Sequence, residues 1–319
     1  RLRGGDPVHI AAWDGPSELS ATPLAKTAVL IPIYHEEVVR VAAGIEAIFR
    51  SVAATGHLED FEFFILSDSR DPEVWLREQE AWQRLCRRLG AKGRLRYRRR
   101  GLNLNRKSGN VADFLRRWGA NFRYMIVLDA DSLMDGETLV AMIQTMERHG
   151  EVALLQTAPR VVDGQTFYAR IQQFANRMYG PLFLRGLART QMGDATFWGH
   201  NAILRIEPFV RHCALPRLNG WGPLTGGILS HDFVEAALLG RAGHEIWIMP
   251  AMAGSYEETP PSLVDDLKRD RRWAEGNLQH LRLLFLPGLR FVHRLSFAKG
   301  VMSYVSSPLW LLFLVLGTF

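Results

Sequence analysis

Along the chain, short apolar runs alternate with longer stretches in which apolar residues recur every three or four positions. Ala28-Val-Leu-Ile-Pro-Ile33, Phe61-Glu-Phe-Phe-Ile-Leu66, Arg94 to Arg99, Val152-Ala-Leu-Leu-Gln156 and Ala202-Ile-Leu-Arg205 have the length and content of strands. Helical spacing runs from Glu36 to Thr55, closed by Gly56, from Asp71 to Leu89, stopped by Gly90, and over Val111 to Trp118. It returns over 165–187, Phe233 to Leu239 and Leu263 to Leu281. Strand and helix alternate at the spacing of βαβ units, which predicts an α/β domain with a largely parallel, doubly wound sheet. No internal repeat or low-complexity linker breaks the pattern.

Tyr124-Met-Ile-Val-Leu-Asp-Ala-Asp-Ser132 is an apolar run that ends in two carboxylates one residue apart. The run reads as a buried strand, and Asp129 and Asp131 stand where its C-terminal end emerges, the edge at which open α/β sheets bind ligands. On an extended chain, carboxylates at i and i+2 point to the same side and can hold a hard divalent cation together with phosphate oxygens. A polar turn in which Asp131 caps the next helix fits the same residues. Both readings stand at this level.

The pattern changes at the C-terminal end. Val301 to Phe319 carries no charge over 19 residues, close to the length that spans a bilayer. Just before it, Leu281 to Phe297 mixes Leu and Phe with Arg282, Arg290 and Arg294, as in a basic amphipathic segment lying at a membrane interface. Positive residues beside a span place its near side in the cytoplasm. The chain starts at Arg1 and stops inside the apolar run, so we expect an excised part of a membrane protein, with residues 1–27 linking to an upstream portion. The expected division is 28–255 for the α/β domain, 256–300 for a helix and the interfacial segment, and 301–319 for a truncated transmembrane helix.

Composition narrows the partners. A length of 319 residues with 47% hydrophobic content supports a packed core, and a net charge of +6 suits an anionic partner such as a nucleotide or a lipid surface. Cys86 and Cys213 are too few and too far apart for a disulfide framework or a zinc site, which fits a reducing compartment. The alternating Arg94, Arg96, Arg98, Arg99 and Arg100 form one solvated face of an edge strand. No nucleic-acid-binding signature accompanies them, so nucleic acid is not an expected partner.

Polar residues at the strand ends carry the candidate chemistry. Asp68 follows the second strand as Asp129 follows a later one, with helix capping as the alternative role. Arg106-Lys-Ser-Gly-Asn110 is expected in a loop, where Gly109 permits close backbone approach and Lys107 offers a cation to a phosphate or carboxylate; the full P-loop pattern is absent. Gln156-Thr-Ala-Pro-Arg160 leaves another strand, and Phe197-Trp-Gly-His-Asn201 sets aromatics beside polar residues. The glycine-rich stretch Gly220 to Asp232 ends at a helix start, so Asp232 is either a cap or a general base facing a cleft. Arg269, Arg272 and Trp273 cluster on one side of a helix, joining two guanidinium groups that suit phosphate to an indole that suits a sugar face.

In this order, Asp68, the Lys107-Ser-Gly-Asn110 loop, Asp129-Ala-Asp131, Gln156-Thr-Ala-Pro159, Ser230-His-Asp232 and Arg269-x-x-Arg272-Trp273 resemble the processive, membrane-bound glycosyltransferases of family 2, the group of cellulose synthase. The resemblance covers residues 28 to 319. Two departures from the cellulose synthase pattern are Arg269 in place of Gln and His231-Asp232 in place of Glu-Asp.

The resemblance implies a GT-A fold with a doubly wound mixed sheet and inverting transfer of glucose from UDP-glucose to a growing β-glucan of the osmoregulated periplasmic type. It places Asp68 at the uridine, Asp129 and Asp131 at the diphosphate and its Mg²⁺ or Mn²⁺, and Asp232 as the base that deprotonates the acceptor. Lys107, Arg269 and Arg272 would meet the diphosphate, with Trp273 under the acceptor sugar. It also implies a lipid bilayer as partner, and adds acyl carrier protein as an acidic partner that the basic surface could accept.

Two readings from other classes remain at this level. A phosphotransferase of the haloacid dehalogenase class would use Asp129 as nucleophile, and a non-catalytic membrane-surface module would need only the basic interfacial segment.

Overall fold

The structure, a computed structural model, describes residues 24–222 and 224–318. Most of the expected 1–27 linker therefore lies outside the described residues. In chain order the elements are β1 (Thr27–Ile33), α1 (Val38–Ala54), β2 (Phe61–Ser67), α2 (Pro72–Leu89), β3 (Leu95–Arg99), α3 (Arg106–Trp118) and β4 (Tyr124–Val127). They continue with β5 (Leu133–Met134), α4 (Gly136–Arg148), β6 (Val152–Thr157), β7 (Arg160–Val161), α5 (Phe167–Gln191), β8 (Ala202–Arg205) and α6 (Ile206–His212). The last are α7 (His231–Arg241), β9 (Glu245–Met249), β10 (Ser255–Glu257), α8 (Leu263–Gln279) and α9 (Phe291–Leu316).

The main sheet has seven strands in the order β3-β2-β1-β4-β8-β6-β9. All pairings are parallel except those of β8, which runs antiparallel between β4 and β6, so the sheet is mixed. Alternation along the central strands explains the layering. Val29, Ile31, Phe63 and Ile126 point to one face, where they pack with Ile45, Ile48 and Leu139 of α1 and α4. Ala28, Leu30, Phe64 and Met125 point to the other, against Phe114 of α3 and Phe209 of α6. With both faces covered, these strands read as continuous apolar runs. A small second sheet, β5-β10-β7, lies beyond the C-terminal end of β4.

Local signals account for several element ends. Asp71 caps α2 by accepting from the Glu73 amide, Pro72 opens the helix, and Gly90 closes it in the left-handed conformation. Neither Asp68 nor Asp131 is a cap: Asp71 takes that role for α2, and β5 intervenes between Asp131 and α4. The expected loop at Arg106 to Asn110 is instead the first turn of α3. Asn105 and Arg106 adopt φ of 55° and 48°, and this left-handed pair turns the chain sharply enough to start the helix early.

The arginines of the edge strand also differ from a plain solvated face. Arg96 is exposed and pairs with Glu62, but the Arg98 and Arg100 side chains are largely covered, paired with Asp113 of α3 and with Asp68 after β2. In the stretch read as interfacial, Arg282 donates to the Leu224 carbonyl, Arg290 pairs with Asp194, and Arg294 donates to the carbonyls of Leu284, Leu286 and Leu289. These guanidinium groups tie the chain to itself.

Two helices leave large apolar surfaces unpacked. α9 is long and apolar enough to cross a membrane, and its segment from Leu309 to Leu316 is exposed throughout. α5 buries only Ala169 and Ala188 and exposes Phe167, Ile171, Phe174, Met178 and Leu182 along its length.

Candidate active site

The carboxyl ends of β1, β2 and β4 converge, as the parallel pairing requires, and each is followed by a carboxylate: Glu36, Asp68 and Asp129. Asp68 is buried and accepts from Arg100 through Nε at 2.7 Å and Nη2 at 2.6 Å. The same guanidinium reaches the carbonyls of Leu104 at 3.1 Å and Arg106 at 2.9 Å, which fixes the entry to α3 next to Lys107. Below this, the Glu78 carboxylate accepts from the hydroxyls of Ser67 and Ser69 at 2.6 Å and of Tyr97 at 2.8 Å. The turn that carries Asp68 is thus held from beneath.

Lys107 lies between the two halves of the site. Its ammonium pairs with Asp129 and donates to the Gly199 carbonyl at 2.8 Å. Gly199, at φ 92°, lies against Asp232: a Cβ built there would stand 3.1 Å from Asp232 Oδ2. Gln156 holds the approach to that glycine by accepting from the Trp198 amide and donating to the Thr196 carbonyl. Asp129, Lys107, Gly199 and Asp232 therefore form one continuous line.

Asp232 sits in the first turn of α7, after Ser230 at the N-cap, so the capping role falls to Ser230's position. Burial raises its carboxyl; His231 works against that rise and Glu235 adds to it. His231 Nδ1 stands 3.0 Å from Glu235, and although burial lowers that imidazole, the Glu235 charge wins and raises it.

Charge at the other end is unbalanced. Burial would raise Asp129, but the Lys107, His200 and His231 charges outweigh it and hold the carboxyl below its usual value. Burial and the neighbouring Asp129 push Asp131 up. Glu36 and Glu257 are raised by burial and by the same aspartates. Among the described residues no three His, Cys, Asp or Glu side chains form a ready cage for a metal ion. Asp129 and Asp131 instead fit an ion that takes its remaining ligands from phosphate oxygens and water, as Mg²⁺ commonly does.

The α8 residues close the site. Arg269 stacks on Trp273 at 4.6 Å and donates to Asp266 at 2.8 Å; its charge works against the rise of Glu257, and that of exposed Arg272 against the rise of Glu36. Both charges are thus felt by the carboxylate cluster, and Trp273 is half exposed. Glu36, His200 and Glu257 were not singled out from the sequence. Glu36 carried the signal that found Asp68, a carboxylate just past a strand. His200 and Glu257, 3.6 Å apart, meet only through the fold.

Residues 28–212 match the family model of glycosyl transferase family 2, and residues 124–319 match that of glycosyl transferase family group 2. The chain belongs to glycosyl transferase family 2. Family 2 relatives include the glucans biosynthesis glucosyltransferase H of Cupriavidus pinatubonensis, 51% identical over 316 residues, and that of Pectobacterium atrosepticum, 53% identical over 317. Each match covers 99% of this chain and 37% of the relative, so the chain spans little more than a third of the length of these curated relatives. Among solved structures, a mannosyltransferase from Pyrobaculum calidifontis in complex with GDP-Man and Mn²⁺ superposes with a TM-score of 0.65 at 15% identity, over 88% of this chain and 70% of that one. S. aureus TarS gives 0.51 at 14%, over 88% and 43%. The fold is therefore the GT-A type expected of family 2.

Proposed function

We propose that this chain is the catalytic part of an inverting, metal-dependent glucosyltransferase that adds glucose from UDP-glucose to a growing β-glucan at the cytoplasmic face of the inner membrane. The observation that carries this reading is the line from Asp129 through Lys107 and Gly199 to Asp232. Only Gly199 lies between Lys107, which we read as binding phosphate, and Asp232, which we read as the general base. Inverting transfer needs that arrangement, with a stabilised leaving group on one side of the anomeric carbon and an activated hydroxyl on the other.

In this reading Asp232 takes the proton of the acceptor hydroxyl as its oxygen attacks the anomeric carbon. The bond from that carbon to the diphosphate breaks on the opposite face, and Lys107, Arg269 and Arg272 receive the charge. A divalent ion, Mg²⁺ or Mn²⁺, held by Asp129 and Asp131 would supply further charge stabilisation to the departing diphosphate. Asp68, steadied by Arg100, takes the uridine, and the half-exposed face of Trp273 takes the acceptor ring. The relatives' printed name supports glucose as the transferred sugar and a glucan as the product.

Membrane placement is supported by the exposed faces of α9 and α5. The latter carries Arg170, Arg177, Arg185 and Arg189 and no acidic residue, which suits an anionic lipid surface.

The test is transfer of labelled glucose from UDP-glucose in membranes carrying the protein at its natural length, with Mg²⁺, with chelator, and for Asp232→Asn. Chelation should stop transfer. Asp232→Asn should lose on the order of 10²–10⁴-fold in turnover while still binding UDP. Turnover above a tenth of wild type in that variant would overturn the assignment of the base.

A further inference from the structure

Asp232 follows a segment whose own backbone pairing, among the described residues, is one isolated bridge, in which Leu218 and Gly226 exchange hydrogen bonds at 2.8 Å; nothing of that kind holds 227–229. Among the described residues of 219–229 none lies in a helix or strand, and Gly220, Gly222 and Gly226 all take positive φ. Ser230, at the N-cap of α7, makes no side-chain cap. Glycine-rich backbone of this kind loses much conformational freedom on ordering, so a fixed position for the following carboxylate must be imposed from elsewhere.

It is imposed by the last turns of α8. Gln279 is buried and uses its whole amide on this segment: Oε1 accepts from the Leu229 amide at 2.9 Å, and Nε2 donates to the carbonyls of Gly227 at 3.2 Å and Thr225 at 3.4 Å. Next to it, buried His280 sets Nε2 3.1 Å from the Ser230 carbonyl, which can only accept, so that nitrogen carries the proton. Gly276 lets Ser230 approach, since a Cβ there would overlap the Ser230 hydroxyl and stand 2.7 Å from its amide nitrogen.

At 100° per residue, positions 269, 272, 273, 276 and 279 fall on one side of α8, and His280 opens the 3₁₀ turn that follows it. The face that offers Arg269, Arg272 and Trp273 at one end therefore grips the peptide in front of Asp232 at the other.

We propose that Gln279 is a positioning residue for the base, and that α8 is a strut relating the diphosphate and acceptor groups to Asp232. The inference rests on the reading of Asp232 as the base. Gln279 reaches no substrate itself; it fixes backbone at 225, 227 and 229, the last of them three residues ahead of Asp232. A carboxylate displaced by as little as ~1 Å loses rate heavily while donor contacts are untouched.

The experiment measures kcat, KM for UDP-glucose and UDP affinity in membranes for Gln279→Met, which keeps volume without the amide, and for Gly276→Ala, which pushes on Ser230 from the same side. Each should lower kcat by about 10- to 100-fold. UDP affinity should stay within about twofold of wild type, which also shows that the variants are folded. Combined with Asp232→Asn, Gln279→Met should cost almost nothing more, because the group it positions is gone. Retention of more than half of kcat by Gln279→Met, or a parallel fall in UDP affinity, overturns the proposal. Should Asp232→Asn abolish transfer while Gln279→Met leaves it intact, the positioning role alone falls. Should Asp232→Asn retain turnover, the reading of the base falls and this inference with it.

Discussion

A carboxylate serves as a base only when ionised, and the surroundings of Asp232 make that ionisation harder. Burial raises its pKa, His231 restrains the rise, and Glu235 adds to it. Turnover should therefore climb with pH through a value above the ~3.9 of a free aspartate. Replacing His231 with Asn removes the restraining charge, so the acidic limb of the kcat profile should move further up; a limb that stays in place would assign it to another group. Asp113 has the opposite balance. Burial would raise it, but Arg116, Arg98 and Arg117 outweigh that and hold it low. Its contribution to stability is present above the unfolded value near ~3.9 and fades as pH falls through the lower folded value. Arg116 and Arg117 are exposed and screened, so the partner that matters is buried Arg98 at 3.5 Å, itself lowered to about 10 chiefly by burial. Asp113→Asn should cost about 2–4 kcal/mol at neutral pH by thermal or denaturant unfolding, with the deficit shrinking in acid. Asp68, Asp129 and Asp131 were legible as candidates because a strand's apolar run announces where a polar residue will surface. Arg100 and Gln279 were not, since their partners lie 32 and 50 or more residues away.

Elements were legible in proportion to how locally they are determined. The helix over 72–89 carries its own cap, opening proline and closing glycine, and the fold respects all three. The start of α3 was misplaced because the decisive event is a left-handed pair at Asn105 and Arg106, of which only the asparagine favours that region. That early start puts Gly109 inside the helix, where an added Cβ would overlap the Leu104 carbonyl. Gly109→Ala should therefore shift the first turn and its Lys107, weakening UDP binding by tenfold or more while leaving the far side of the sheet intact; titration calorimetry reads the first, and the far-ultraviolet circular dichroism spectrum the second. The reversal of β8 had no local signal. Its residues read as any short strand, and the antiparallel pairing with β4 and β6 appears only once the sheet is assembled.

At the scale of the molecule, the alternating pattern gave the layered sheet, and the uncharged terminal run gave a helix suited to a bilayer. What neither showed is how firmly the two are joined. Phe297 of α9 is buried among Val234 and Ala237 of α7 and Ile228 of the glycine-rich segment, and stacks on His280 at 4.6 Å. Phe297→Ala should cost about 3–5 kcal/mol, seen as a lower unfolding temperature of the detergent-solubilised protein. A loss under ~1 kcal/mol would mean that α9 is only loosely attached.

The fit of Gly240 against His293 has one more consequence. A side chain at 240 would overlap that imidazole, so α7 rests directly on the foot of α9. From Asp232 to that point is about 12 Å along α7, and from His293 to the start of the uncharged run at Val301 about another 12 Å. In the proposed reading, the acceptor hydroxyl at Asp232 lies within about 24 Å of helix path from the uncharged run, and a glucan growing there meets headgroups while still short. In the same reading, a change in bilayer thickness would alter the tilt of α9 about its foot, and with it the register between the growing end and Asp232.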